Sequence, residues 1–146
     1  MTTALDGSPV TVGGSQIVEF RRHRDALGVL TAGQDLPFPV VRFFTVEEVP
    51  AGEFRGWHAH RECHQLLVCL RGSVIALVDD GSERQEVLLD DPGVGLHVPP
   101  MVWGRQREYS ADALLMVLAS HPYDRSDYIE DYDEFVALRS TTTGKA

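Results

Sequence analysis

The chain predicts an all-β sandwich or barrel, on three observations. Short runs of branched and aromatic residues recur at regular spacing between Gly, Pro and Asp turns, as strands do in sandwiches and barrels. Only one stretch, Ser126 to Leu138, carries apolar residues at a three-to-four-residue repeat, so one short C-terminal helix is expected. The chain has 146 residues, 43% of them hydrophobic, which suits a single domain with a packed core.

Taken in order, residues 1–15 are small and polar and read as a flexible start. The domain is expected over 16–138, with a flexible end at 139–146. Ile17 to Phe20 and Gly28 to Thr31 are candidate strands. Between them, Arg21, Arg22, His23 and Arg24 form the single basic run, which reads as a solvated strand edge. Pro37-Phe38-Pro39 is extended or turned, because each proline also restricts the residue before it. Val40 to Val46 is a strand, Pro50-Ala51-Gly52 a turn, and the histidine-rich segment and Gln65 to Leu70 are the next two strands. Ser73 to Val78 and Glu86 to Leu89 flank the hairpin turn at Asp79-Asp80-Gly81-Ser82. Asp90-Asp91-Pro92-Gly93 turns the chain into Gly95 to Val98. Met101 to Arg107 and Ala113 to Ser120 follow, and the second, apolar on both faces, is expected to be central. Asp127 is a candidate cap for the helix.

The formal net charge of −9 argues against nucleic acid or an anionic membrane as partner, since both reward a basic face. No apolar run approaches the roughly 18 residues of a membrane span, and Met1 to Ser15 lacks the basic and apolar regions of a signal peptide. A cytoplasmic location is expected. Cys63 and Cys69 are expected to be buried free thiols.

The chemistry concentrates in Arg55-Gly56-Trp57-His58-Ala59-His60-Arg61-Glu62-Cys63-His64-Gln65. On an extended strand His58 and His60 point to one face. His64 shares an alternation face with Leu66, Val68 and Leu70, so all three rings are expected to enter one apolar space, with Gln65 turned away. Three imidazoles there either bind a metal or move protons. Imidazole suits zinc, iron or copper. Without a metal, burial and mutual repulsion hold the rings neutral near pH 7, able to take a proton and return it, as a keto–enol change requires. Arg55 at the strand entrance suits an anion such as a phosphate, or a surface salt bridge.

The spacing His58, His60, His64, Gly72 resembles the cupin superfamily. In metal-binding cupins a second motif after a proline turn supplies a further histidine. Here Val98-Pro99-Pro100-Met101-Val102-Trp103-Gly104 matches that motif, and the ligand position holds Gly104. No metal is therefore expected. The alternative keeps His58, His60 and His64 as ligands of a metal-dependent oxygenase.

The resemblance extends over about Val40 to Phe135. It is carried by Arg-Gly-Trp-His-Ala-His from Arg55, Cys-Leu-Arg-Gly-Ser-Val from Cys69, Asp79-Asp80-Gly81, Asp91 to Val98, Pro100-Met101-Val102-Trp103, Val117 to Ser120, and Tyr123-Asp124-Arg125-Ser126-Asp127-Tyr128-Ile129. Together these segments resemble the sugar 3,4-ketoisomerases, the WxcM-like cupins. That resemblance implies an RmlC-like jelly-roll barrel acting without cofactor on dTDP-4-keto-6-deoxyglucose, moving the ketone from C4 to C3 through an enediol. It places the two active-site histidines at His58 and His60 and an arginine at Arg55. Arg42, His64, His97 and Trp103 complete the expected substrate-binding set, with Trp57 a further candidate for the pocket wall. Tyr123, Asp124, Asp127 and Tyr128 are expected to dock the helix. The resemblance also implies a homodimer with exchanged N-terminal strands. Two positions depart from the family: Phe44 where a tyrosine is common, and Gly104 where His or Arg is. Other readings are a non-catalytic sugar-nucleotide-binding cupin and a 3,5-epimerase.

Overall fold

The computed structural model describes residues 1–143. In chain order the strands are β1 (Gln16–Glu19), β2 (Arg21–Asp25), β3 (Gly28–Ala32), β4 (Arg42–Glu47), β5 (Arg55–His60), β6 (Gln65–Arg71), β7 (Val74–Asp79), β8 (Arg84–Leu89), β9 (Val94–Val98), β10 (Trp103–Arg107), β11 (Leu114–Ala119) and β12 (Tyr128–Ile129), followed by helix α1 (Tyr132–Thr143). The strand runs expected from the sequence all form, offset by one or two residues at their ends.

Two open five-stranded sheets stand where a closed barrel was a possible outcome. Their orders are β1-β9-β6-β11-β4 and β12-β5-β10-β7-β8, and the pairings are antiparallel. They pack face to face because each strand turns its alternate apolar residues inward. Leu67, Leu96, Leu115 and Val117 of the first sheet meet Val74, Ala76, Val78, Val87 and Leu89 of the second in one core. β11 is central, hydrogen-bonded to β6 on one side and β4 on the other. The basic run is β2, which pairs with β3 as a separate two-stranded ribbon and is exposed along its whole length.

Three expectations need correction. Residues 1–15 are not a loose start: Ala4, Val10 and Val12 are buried in the core between the sheets. The chain after 138 continues as helix to Thr143, and 144–146 lie outside the described residues. The helix begins at Tyr132 and not near Ser126. Its start is capped by Asp131, whose carboxylate accepts the Glu134 amide at 3.0 Å. The helical repeat misled because Tyr128 and Ile129 belong to a short strand on the edge of the second sheet. That strand pairs Tyr128 with His60 and Ile129 with Ala59. Asp127, no longer a cap, is released for another role.

Candidate active site

Strand β5 does most of the positioning. Against β10 it places His58 opposite Gly104 but Arg55 opposite Gln106, so Gly56 and Trp57 together face Arg105. Such a β-bulge resets the in–out alternation and re-aims a side chain. Gly56 permits it. Its φ is +102°, a region L side chains rarely enter, and a Cβ there would stand 2.8 Å from Gln106 Oε1. With the alternation reset, Arg55, His58 and His60 line one cavity of about 230 Å³ between the sheets.

The cavity's titratable residues come from neighbouring strands. The His58 and His60 ring centroids are 5.0 Å apart, and the Tyr128 ring lies 4.8 Å from the first and 4.4 Å from the second. Burial, and secondarily the neighbouring His60, pushes His58 down to about 4, so it is an unprotonated base at neutral pH. Burial also lowers His60, although Asp127 opposes it. His60 Nδ1 donates to Asp127 Oδ2 at 2.9 Å. That bond sets the tautomer: Nε2, buried and unpartnered among the described residues, carries the free lone pair. Asp127 is itself held. Burial alone would raise its carboxyl, but the Glu62 amide at 2.7 Å, His60 and the Cys63 amide keep it below the ordinary carboxylate value. Burial raises the Tyr128 hydroxyl, with its hydrogen bond to Arg42 opposing, so it stays a protonated donor.

Two arginines flank this group. Arg55 lines the cavity and makes no ion pair among the described residues. Arg42 donates to the His121 carbonyl at 3.2 Å, lies over the Phe44 and Tyr123 rings, and acts on His60 and Tyr128.

The structure moves the other expected members out of the cavity. His64 and His97 lie on the opposite face of the first sheet, joined Nδ1 to Nε2 at 2.9 Å and covered by Phe38. His64 does share its face with Leu66 and Val68, as alternation requires, but that face is the outer one. Gln65, expected to turn away, lines the cavity instead. Trp103 is fully buried outside, among Ala59, Ile129 and Phe135 beneath α1. Trp57 stands beside it and stacks on Tyr132 at 6.0 Å. In each case the parity of alternation cannot be carried through a turn or a bulge. His58, His60 and His64 therefore do not converge as a ligand set. A nearer group, His60, Cys63 and Asp127, has ligand atoms within 4.8 Å, but His60 and Asp127 already bond each other there.

Asp127 and Tyr128, expected to dock the helix, instead join the histidines at the cavity. Their signal was present in the Tyr-Asp-x-x-Asp-Tyr-Ile segment. Its two-residue strand is too short for alternation to be visible.

A double sheet with a histidine-lined, largely apolar interior defines a cupin-like protein, and comparison with known proteins narrows the class. The WxcM-like, C-terminal (FdtA) family matches residues 13–140, and the chain belongs to it. It is 41% identical over 124 residues to the TDP-4-oxo-6-deoxy-α-D-glucose-3,4-oxoisomerase of Aneurinibacillus thermoaerophilus, covering 83% of this chain and 89% of that one. Among solved structures it is similar to the QdtA 3,4-ketoisomerase of Thermoanaerobacterium thermosaccharolyticum. A double mutant of that protein in complex with TDP superposes with a TM-score of 0.87 at 33% identity, covering 90% of this chain and 97% of the other. A histidine-to-asparagine mutant of the same protein, in complex with TDP-4-keto-6-deoxyglucose, superposes with a TM-score of 0.86 at 32% identity, covering 89% and 96%.

Proposed function

We propose that this protein is a sugar-nucleotide 3,4-ketoisomerase, moving the keto group of dTDP-4-keto-6-deoxy-D-glucose from C4 to C3 without cofactor. The observation that carries the reading is the neutral cluster of His58, His60 and Tyr128 on an apolar cavity, with Asp127 setting the His60 tautomer. It stands in a chain 41% identical to an oxoisomerase of that substrate class.

The reaction rearranges protons and needs no external electrons. His58 takes the proton from C3 while Tyr128 donates to the C4 oxygen, giving an enediol. The hydroxyl proton at C3 then passes to the cluster as a proton is delivered to C4, leaving the ketone at C3. Neutral rings at pH 7 suit both directions of transfer. His60, oriented by Asp127, exchanges oxygen protons through Nε2. Arg55 and Arg42 supply the positive charge that a diphosphate needs. Phe44 and Gly104 both line the cavity and offer no proton, which leaves the hydroxyl role to Tyr128.

The test is proton NMR of the protein with dTDP-4-keto-6-deoxyglucose in deuterated water, with metal content measured on the same sample. A 3-keto sugar carrying deuterium at C4, formed by metal-free protein, is the expected outcome. Exchange at C3 and C5 with the ketone still at C4 would make it an epimerase. Line broadening without conversion would make it a binding protein.

The same reading includes a homodimer that exchanges N-terminal strands and works in the cytoplasm. Two observations support the dimer: the outer face of the first sheet exposes Val41, Phe43 and Leu70, and the β2–β3 ribbon stands apart with Leu27 and Leu30 exposed. Two buried free thiols suit a reducing compartment. Sedimentation equilibrium at the mass of a single 16.2 kDa chain would remove the dimer.

A further inference from the structure

Two amides line the cavity and take no part in moving protons. Gln65 comes from β6 in the first sheet, and Gln106 from β10 in the second, the sheet that also carries His58 and Arg55. Gln106 is the next inward position after Gly104, because successive side chains on a strand alternate. Two glycines make room for it. A Cβ at Gly56 would stand 2.8 Å from its Oε1 and 3.2 Å from its Nε2, and a Cβ at Gly104 would stand 3.8 Å from Nε2. The amide therefore lies in a notch between β5 and β10, leaning towards the position that faces His58. Its side chain makes no hydrogen bond among the described residues, so a donor and an acceptor both stand open on the cavity. A polar group in such a place is costly unless a ligand satisfies it.

The register fixes where along a bound sugar this amide falls. His58 is opposite Gly104, and Arg55 is opposite Gln106. Arg42 already donates to the His121 carbonyl and hydrogen-bonds Tyr128, whereas Arg55 makes no ion pair among the described residues and is the guanidinium open to a diphosphate. A sugar nucleotide with C3 at His58 and its C1 diphosphate at Arg55 has C2 between them, beside Gln106. The chemistry of the substrate agrees. C3 and C4 carry the reacting oxygens, C1 carries the nucleotide and C5 a methyl group. The C2 hydroxyl is the one free hydroxyl on the ring that the reaction leaves untouched, and an amide is the neutral partner that holds a hydroxyl without exchanging protons with it.

We infer that Gln106 is a specificity-determining residue: its amide hydrogen-bonds the C2 hydroxyl and sets the sugar against His58. The inference rests on the ketoisomerase reading and adds the substrate feature that the cavity selects. The protein accordingly discriminates against 2-deoxy sugar nucleotides, whose C2 leaves the amide unpaired.

The test compares dTDP-4-keto-6-deoxyglucose with its 2-deoxy analogue, for the wild-type protein and for Gln106→Met, which keeps the length of the side chain and removes both polar atoms. Formation of the 3-keto sugar is followed by proton NMR. Wild-type protein should favour the 2-hydroxy sugar by about 10- to 100-fold in kcat/KM. Gln106→Met should lose most of that preference. Its kcat/KM on the 2-hydroxy sugar should fall about tenfold or more, chiefly through KM, and on the 2-deoxy sugar should change less than twofold. An equal loss on both sugars would make Gln106 merely structural and overturn the inference. So would a preference that survives the substitution, which would move the contact elsewhere, with Gln65 the next to test. Gln106→Ala gives the same readout if the methionine variant does not fold, and parity of the two sugars in wild-type protein overturns the inference without any variant. Each of these outcomes leaves the isomerase reading intact. If wild-type protein forms no 3-keto product from the 2-hydroxy sugar, that reading fails and the role of Gln106 falls with it.

Discussion

Two histidine pairs lie in this molecule within one strand's reach of each other, and they share nearly everything but surroundings. His58 and His60 face the cavity; His64 and His97 face the outside of the first sheet. Burial lowers both pairs, and it takes His58 and His97 alike to about 4. The difference is in what else is present. The first pair meets a tyrosine hydroxyl, a fixed carboxylate and an open space. The second meets its own partner and the Phe38 ring. A displaced proton affinity therefore marks desolvation, and only access to a space where a reacting atom fits turns it into chemistry.

Substitutions that treat the pairs differently test this contrast. The largest effect is expected from His58→Ala. Loss of the base should lower turnover by about 10²- to 10⁴-fold while TDP binding stays within about tenfold. Near-wild-type turnover would end the assignment. Asp127→Asn should follow, at about 10²-fold in kcat, because an amide also meets His60 but no longer selects its Nδ1–H tautomer. Folding and nucleotide affinity should change little, so a calorimetric TDP titration separates this from general damage.

The smallest effect belongs to the outer pair. His64→Gln should leave kcat/KM within about twofold, since it touches no transition-state contact. Its signature is in stability. The fold holds these rings neutral, so below the ordinary imidazole value of 6.5 the unfolded chain binds more protons than the native one. Stability is complete above that pH and falls as pH drops towards about 4. Removing His64 takes out one such group and should make the acid limb shallower. Chemical denaturation across that range would show it. Equal loss of activity in His64→Gln and His58→Ala would erase the distinction between the pairs.

Much of this site was legible in the sequence because it obeys local rules. His58 and His60 are two apart on a strand, so they share a face however the strand is used. His64 is the last residue of the connection at 61–64, and no local rule carries the parity of alternation across it. The same holds at Gly56, where a bulge swings Arg55 into the cavity with the histidines, and at Trp103, one residue before Gly104 and hence on the other face. Asp127 was read as a helix cap, since an acidic residue before an apolar repeat carries that meaning by default. Only the docking of residues 125–129 against β5 reveals its partner.

The chain by itself determined the strands, their order along the sequence, the histidine pair that shares a face, and the membership of a family, because these depend on period, turn residues and motif. The tertiary structure decided which face is inside, which wall of the cavity holds the protons, and which carboxylate orients His60. Those properties arise between segments distant in the chain, such as His60 and Asp127, where geometry is set by how two sheets and an edge strand close on each other and not by any local propensity.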